Sequence, residues 1–140
     1  PCFWIDMALL FERYVLGLLR SVYGDDVLYQ VKGVMAERPD FLLRHGDEKL
    51  ILDTKYMENV EVKIDIIRQL SGYARDIAIQ KIIGVDKDKI IPCVLIYPEY
   101  AGSDNVSSLS FTLDNSQSLL QSCKKIDGFS EFYSLSVPIG

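Results

Sequence analysis

A mixed α/β sandwich, with a central sheet and helices packed on it, is the fold class this sequence predicts, and three observations carry that prediction. Residues 6–22 and 62–80 repeat apolar side chains at helical spacing. Shorter segments alternate or run apolar over strand lengths, bounded by Gly, Pro and Asp. The 140 residues, 49% hydrophobic and 25% charged, fit one domain with a real core.

The elements follow in order. "DMALLFERYVLGLLRSV" places Phe11, Tyr14 or Val15, Leu18 or Leu19, and Val22 on one helical face, with Asp6 as N-cap and Gly24 as stop. "VLYQVKG", 27–33, alternates as a strand, and strands over about 39–45 and 49–57 follow, separated by "HGDE". Residues 62–80 give a second amphipathic helix through Ile66/Ile67, Leu70, Tyr73/Ala74 and Ile77/Ala78. "IIPCVLIYP", 90–98, is nearly continuous in apolar residues and bounded by prolines, as expected of a strand buried on both faces. "SSLSFTL", 107–113, predicts a half-wet strand and 115–125 a short helix. "EFYSLSVPI" predicts a last edge strand ended by Pro138. No internal repeat or low-complexity tract divides residues 1–140, which read as one domain.

Composition narrows the chemistry. Three cysteines, Cys2, Cys93 and Cys123, are widely separated and form no CxxC pair, which argues against a disulfide framework, zinc or an iron–sulfur cluster. Reduced thiols in a cytoplasmic protein are expected. The one histidine, His45, falls in a turn and reads as solvated surface. No apolar run approaches the roughly 20 residues of a membrane span, and no signal-peptide pattern opens the chain. The start, "PCFWIDMALL", lacks an initiator methionine, so a fragment of a longer protein is expected. The net charge of −5 weighs against a large phosphate-binding surface, unless some of the acids hold a divalent ion that reverses the local sign.

The informative stretch is "RPDFLLRHGDEKLILDTKY", 38–56, where acids interrupt apolar runs. Gly46-Asp47 suits a two-residue turn, because glycine accepts the backbone angles such turns need. A hairpin centred there pairs His45 with Glu48, Arg44 with Lys49, and Asp40 with Asp53. Directly paired residues hold their Cβ atoms about 4.5–5.5 Å apart, so two ionised carboxylates there repel unless a positive charge joins them. Strand alternation puts Lys55 on the face of Asp53 and sends Thr54 to the other. Lys55 alone is a sufficient counterion on the simplest reading. A divalent cation is the alternative, and Mg²⁺ fits it, since it often needs only one or two carboxylates plus waters.

"RPDF", a twelve-residue gap between Asp40 and Asp53, and "ILDTKY" together resemble the PD-(D/E)XK nuclease signature. With "LFERYVLGLL" before them and "QLSGYA" and "VLIYP" after, the chain resembles, over residues 6–98, the nuclease domain of the McrC family, the cleaving subunit of modification-dependent restriction systems. That resemblance implies a restriction-endonuclease-like core, with a central mixed sheet flanked by helices. It implies Asp40, Asp53 and Glu12 as ligands of Mg²⁺, for which Mn²⁺ substitutes. It assigns Lys55 to orienting the attacking water and Gln69 to the polar helix position near the site, with Tyr73 one turn on. It further implies double-stranded, modified DNA as substrate, an McrB-like AAA+ GTPase as partner, and a homo-oligomer for double-strand cleavage. The chain has no Walker-type phosphate loop, so nucleotide hydrolysis falls to the partner.

Met57 departs from relatives that place a second lysine there, which removes an expected phosphate contact. Arg13, Arg38 and Arg44 are candidate DNA contacts by proximity in sequence. Taken on their own, Glu12 is a solvated charge and Gln69 a boundary residue, and only the ordered motifs raise them to site candidates. Two alternatives stand beside the restriction nuclease: a repair or junction-cleaving nuclease of the same superfamily, and a nuclease-like interaction module without catalysis.

Overall fold

Asp6 caps the first helix, α1 (Met7–Tyr23), and its carboxylate accepts the Leu9 N–H at 3.1 Å. Gly24 stops that helix as expected, with its N–H on the Arg20 carbonyl. The computed structural model describes residues 6–31, 38–56, 64–86, 89–100 and 117–139. Phe11, Val15, Leu19 and Tyr23 recur every fourth residue and make the buried face of α1. Of the open choices, Val15 and Leu19 are inside, while Tyr14 is 45% exposed.

Among the described residues six strands form one sheet: β1 (Val27–Tyr29), β2 (Phe41–His45), β3 (Glu48–Thr54), β4 (Cys93–Tyr100), β5 (Lys124–Lys125) and β6 (Phe132–Ile139), in the order β1-β2-β3-β4-β6-β5. The first three are antiparallel, β3, β4 and β6 are parallel, and β5 returns antiparallel on β6. The sheet is therefore mixed, with helices on both faces. Strand alternation divides its side chains between two cores. Phe41, Leu43, Leu50, Leu52, Val94 and Ile96 meet α1 on one face. Leu42, Ile51, Cys93 and Leu95 meet α2 (Ile64–Ala74) and α3 (Ile77–Ile83) on the other. Burial on both sides explains why β2 to β4 read as nearly unbroken apolar runs.

The hairpin has the expected register: Phe41 faces Leu52, Leu43 faces Leu50, and His45 faces Glu48. Gly46 takes φ 58°, a left-handed angle that glycine adopts without steric cost. One step past Phe41 and Leu52, the same register sets Asp40 opposite Asp53.

Several expectations need correction. The helix over 62–80 is two helices within the described residues, broken at Arg75-Asp76. Asp76 adopts extended angles and its carboxylate accepts the Ala78 and Ile79 N–H groups, so a local cap outcompetes helix continuation. The break rotates the periodicity, leaving Ile77 49% exposed and Ile79 fully buried. The buried Gln80 donates to the Ala74 carbonyl and so satisfies the end of α2.

The strand expected over 27–33 closes at Tyr29, because Gln30 turns away at φ 50°. β4 runs past Pro98 to Tyr100. Ile96, two residues earlier, directs its carbonyl to the Lys55 N–H on the β3 side, so the missing proline N–H falls where β3 has already ended. Pro138 likewise does not end β6, which reaches Ile139. Phe132, in phase with Pro138, bonds outward to Ile126, so Pro138 lacks its donor on the outer side, beyond the short β5. In 115–125 the described residues form a 3-10 turn, Leu119–Ser122, and then β5. The strand expected over 107–113 lies outside the described residues. No helix among the described residues is long and apolar enough to cross a membrane.

Candidate functional site

Four elements, α1, β2, β3 and α2, deliver the candidate residues to one end of the sheet. Glu12 follows the buried Phe11 on α1, at the border of its packed face. Asp40 immediately precedes β2, and Asp53 lies near the end of β3. Lys55 is just past β3, yet its backbone N–H still bonds the Ile96 carbonyl of β4 at 2.9 Å. That bond extends the β3–β4 pairing by one residue and ties down the root of the lysine side chain. Gln69 reaches the group from α2.

Asp53 is 3% exposed, an unusual setting for a carboxylate. Its Oδ1 accepts the Asp40 backbone N–H at 3.2 Å. Its Oδ2 lies 3.2 Å from Lys55 Nζ as an ion pair, without the alignment of a hydrogen bond. Lys55 Nζ also reaches Gln69 Oε1 at 3.4 Å, which completes a β3–α2 link. The Asp40 carboxylate does not turn to Lys55. Its Oδ2 accepts both the N–H of Thr54, at 2.8 Å, and the Thr54 hydroxyl, at 2.6 Å. On the other side, Glu12 takes a 2.7 Å hydrogen bond from the Tyr29 hydroxyl.

The electrostatics follow from burial and crowding. Desolvation, reinforced by the Asp40 charge, raises the Asp53 carboxyl from 3.8 to about 6, against the lowering influence of Lys55. Desolvation, followed by contact with the Asp40 carboxyl, raises Glu12 from 4.5 to about 7, against the Tyr29 hydrogen bond. Three acids thus share more negative charge than one ammonium balances. Among the described residues, no three His, Cys, Asp or Glu side chains lie close enough to enclose an ion as they stand. A buried Asp53 Oδ2 without a hydrogen bond, opposite Asp40, fits the two-carboxylate, water-completed coordination that Mg²⁺ accepts. Oxygen-only donors likewise favour a hard cation over zinc.

Two contacts were missed in the sequence. Strand alternation sends Thr54 to the far face, yet its hydroxyl and N–H both hold Asp40. Alternation alone makes Tyr29 an ordinary strand residue, yet its hydroxyl bonds Glu12. Neither had a local signal, because both partners are distant in sequence. Arg44, the third candidate DNA contact, donates to the Ile82 carbonyl at the C-terminal end of α3, beside Lys49, which donates to Gly84. These cations complement a helix end. Arg13 and Arg38 are exposed beside Glu12 and Asp40, and Tyr73 is core at 3% exposure. Met57 lies outside the described residues. Burial pushes the Cys93 and Cys123 thiols up to about 12, so neither is a nucleophile at neutral pH.

A cavity of about 700 Å³ opens at the other end of β3, lined by Lys49, Leu50, Gly84, Lys89, Ile90 and Leu120. It contains none of the candidate residues. The acidic cluster instead lies at the opposite strand end, beside Asp40 and the end of β3. Compared with family models, curated proteins and solved structures, the chain matches none.

Proposed function

We propose that this chain is a metal-dependent DNA endonuclease domain with a restriction-endonuclease-like core, the cleaving part of a modification-dependent restriction system of the McrC type. One observation carries the reading: a buried Asp53 carboxylate, with one oxygen lacking a hydrogen bond, faces Asp40 across a hairpin and has the Lys55 ammonium 3.2 Å away. Burying such a carboxylate costs folding free energy, and a structural role alone is served by any apolar residue. That cost argues for a catalytic site over a silent interaction module.

In this reading Asp40 and Asp53 hold a Mg²⁺ ion, with Glu12 as a further ligand or water contact. Mg²⁺ bound there supplies a lowered pKa for a coordinated water and positive charge at the phosphate. The chain's own residues do the positioning. Lys55, fixed by the backbone bond to β4, places a cation where charge grows on the scissile phosphate. Gln69 restrains that ammonium from the α2 side. Water oxygen bonds to phosphorus and sheds a proton to solvent as the ester P–O bond breaks, and the leaving alkoxide takes a proton from solvent. Rigid strands matter here, since a misplacement of about 1 Å costs on the order of 10²-fold in rate.

Modified duplex DNA is the substrate of this reading. An McrB-like AAA+ GTPase in the same cytoplasm supplies recognition and translocation, and paired nuclease domains cut both strands. The acidic balance of the chain is consistent with DNA grip coming largely from other parts of the assembly. Plasmid cleavage in Mg²⁺ by the protein with its GTPase partner tests this. GTP-dependent cutting confined to methylated DNA supports the restriction reading, and GTP-independent cutting of branched DNA assigns a repair nuclease. A folded protein that cuts neither overturns both.

A further inference from the structure

We infer that Tyr29 is a positioning residue for Glu12, held in place by a strained turn at Gln30, so that β1 sets the geometry of the acidic cluster from outside it. The inference rests on the metal-site reading above, which assigns Tyr29 and Gln30 no part. Tyr29 ends β1 opposite Phe41, and its ring packs on Phe41 with centroids 5.7 Å apart. Its hydroxyl donates to Glu12 Oε2 at 2.7 Å.

The next residue fixes the direction of that bond. Gln30 Nε2 donates to the Tyr29 hydroxyl oxygen at 3.3 Å. An amide NH₂ only donates, so the hydroxyl accepts from it and sends its own proton to Glu12. Gln30 stands at φ 50°, an angle glycine adopts freely and glutamine adopts at a cost. Its backbone N–H bonds the Asp40 carbonyl at 2.9 Å. One residue therefore touches the Asp40 backbone directly and Glu12 through Tyr29. That link registers an acid on α1 against the acid that leads into β2, two positions far apart in sequence. Strain of this kind persists where the surroundings enforce it and gathers at functional sites.

Glu12 Oε2 is occupied by Tyr29, and the carboxyl also contacts that of Asp40. Tyr29 thus favours one orientation of the half-buried Glu12 side chain, the one that meets Asp40. Partners of metal-ligating carboxylates act this way, and losing one typically weakens metal binding by roughly 10–100-fold. Nothing in the packing of the sheet needs the hydroxyl, since phenylalanine retains the contact with Phe41.

The test is calorimetric titration of Mn²⁺ into the intact protein and its Tyr29→Phe and Gln30→Gly variants, with thermal unfolding and cleavage kinetics alongside. Tyr29→Phe is expected to weaken Mn²⁺ binding roughly tenfold, with little change in thermal midpoint. The KM for DNA stays constant while half-activation moves to higher Mn²⁺. Gln30→Gly is expected to raise the thermal midpoint by relieving φ strain and still weaken Mn²⁺ binding. Wild-type-like or tighter Mn²⁺ binding by Tyr29→Phe overturns the inference, as does weakening matched by a falling midpoint. Wild-type protein that binds Mn²⁺ and cuts no DNA defeats the nuclease reading alone. Wild-type protein that takes up no Mn²⁺ defeats both.

Discussion

The Asp40 backbone N–H points at the Asp53 carboxylate at 3.2 Å, while the Asp40 carboxylate is turned to the Thr54 N–H and hydroxyl. The Asp40 carboxylate is thus tied to the strand that carries Asp53, and the Asp53 carboxylate to the backbone that leads into β2. The arrangement holds two like charges at one strand end by giving each its own donors, and it leaves Asp53 Oδ2 to Lys55. Consequences for stability, pH response and catalysis follow from that wiring.

Without a divalent ion, the domain loses stability as pH rises. Asp53 and Glu12 both carry raised values in the fold, about 6 and about 7 against 3.8 and 4.5. The folded state therefore binds more protons than the unfolded state between those values, and stability falls with rising pH. The contribution of protonation is complete below about pH 4 and is lost as pH rises through about 6 for Asp53 and about 7 for Glu12, with Asp53 alone accounting for on the order of 3 kcal/mol. Chemical denaturation in EDTA from pH 4 to 8 measures this. A flat or rising profile contradicts it.

Asp53→Asn removes the buried charge and retains the shape. The variant is expected to be more stable than wild type at pH 7.5 in EDTA, with the pH slope reduced, and to cut no DNA. Thermal unfolding and a plasmid nicking assay check the two halves. Lower stability in the variant contradicts the view that the buried carboxylate is a cost carried for function.

Lys55→Ala takes away the cation beside Asp53 and is expected to lower cleavage by on the order of 10²–10³-fold. It also raises the Asp53 carboxyl further, because the lowering influence of Lys55 is lost. Single-turnover cleavage against pH separates these effects. Wild-type rates at any pH dismiss Lys55 from the chemistry.

The hairpin was legible because a short turn and alternation together dictate which residues face each other, and the register over Phe41–His45 and Glu48–Leu52 is the expected one. The two-sided burial of β4 was legible from its unbroken apolar run. The break between α2 and α3 was not, because the apolar period runs through it and a single capping aspartate decides the matter. Thr54 and Tyr29 escaped for a different reason. Their partners come from other elements, and only tertiary structure brings Tyr29 to Glu12.

The break itself is testable. Asp76→Ala deletes the carboxylate that accepts two N–H groups at the start of α3 and is expected to cost about 1 kcal/mol. Urea denaturation measures the loss. No change in stability contradicts the assigned cap.

The most direct measurement of the central claim is a crystal of the protein soaked in Mn²⁺ and examined for anomalous scattering. The account predicts a peak between Asp40 and Asp53, about 2.1 Å from an oxygen of each carboxylate, with the Asp40 side chain released from Thr54 if it must turn. Saturating Mn²⁺ with no peak at these two residues, or with one only elsewhere on the surface, contradicts it.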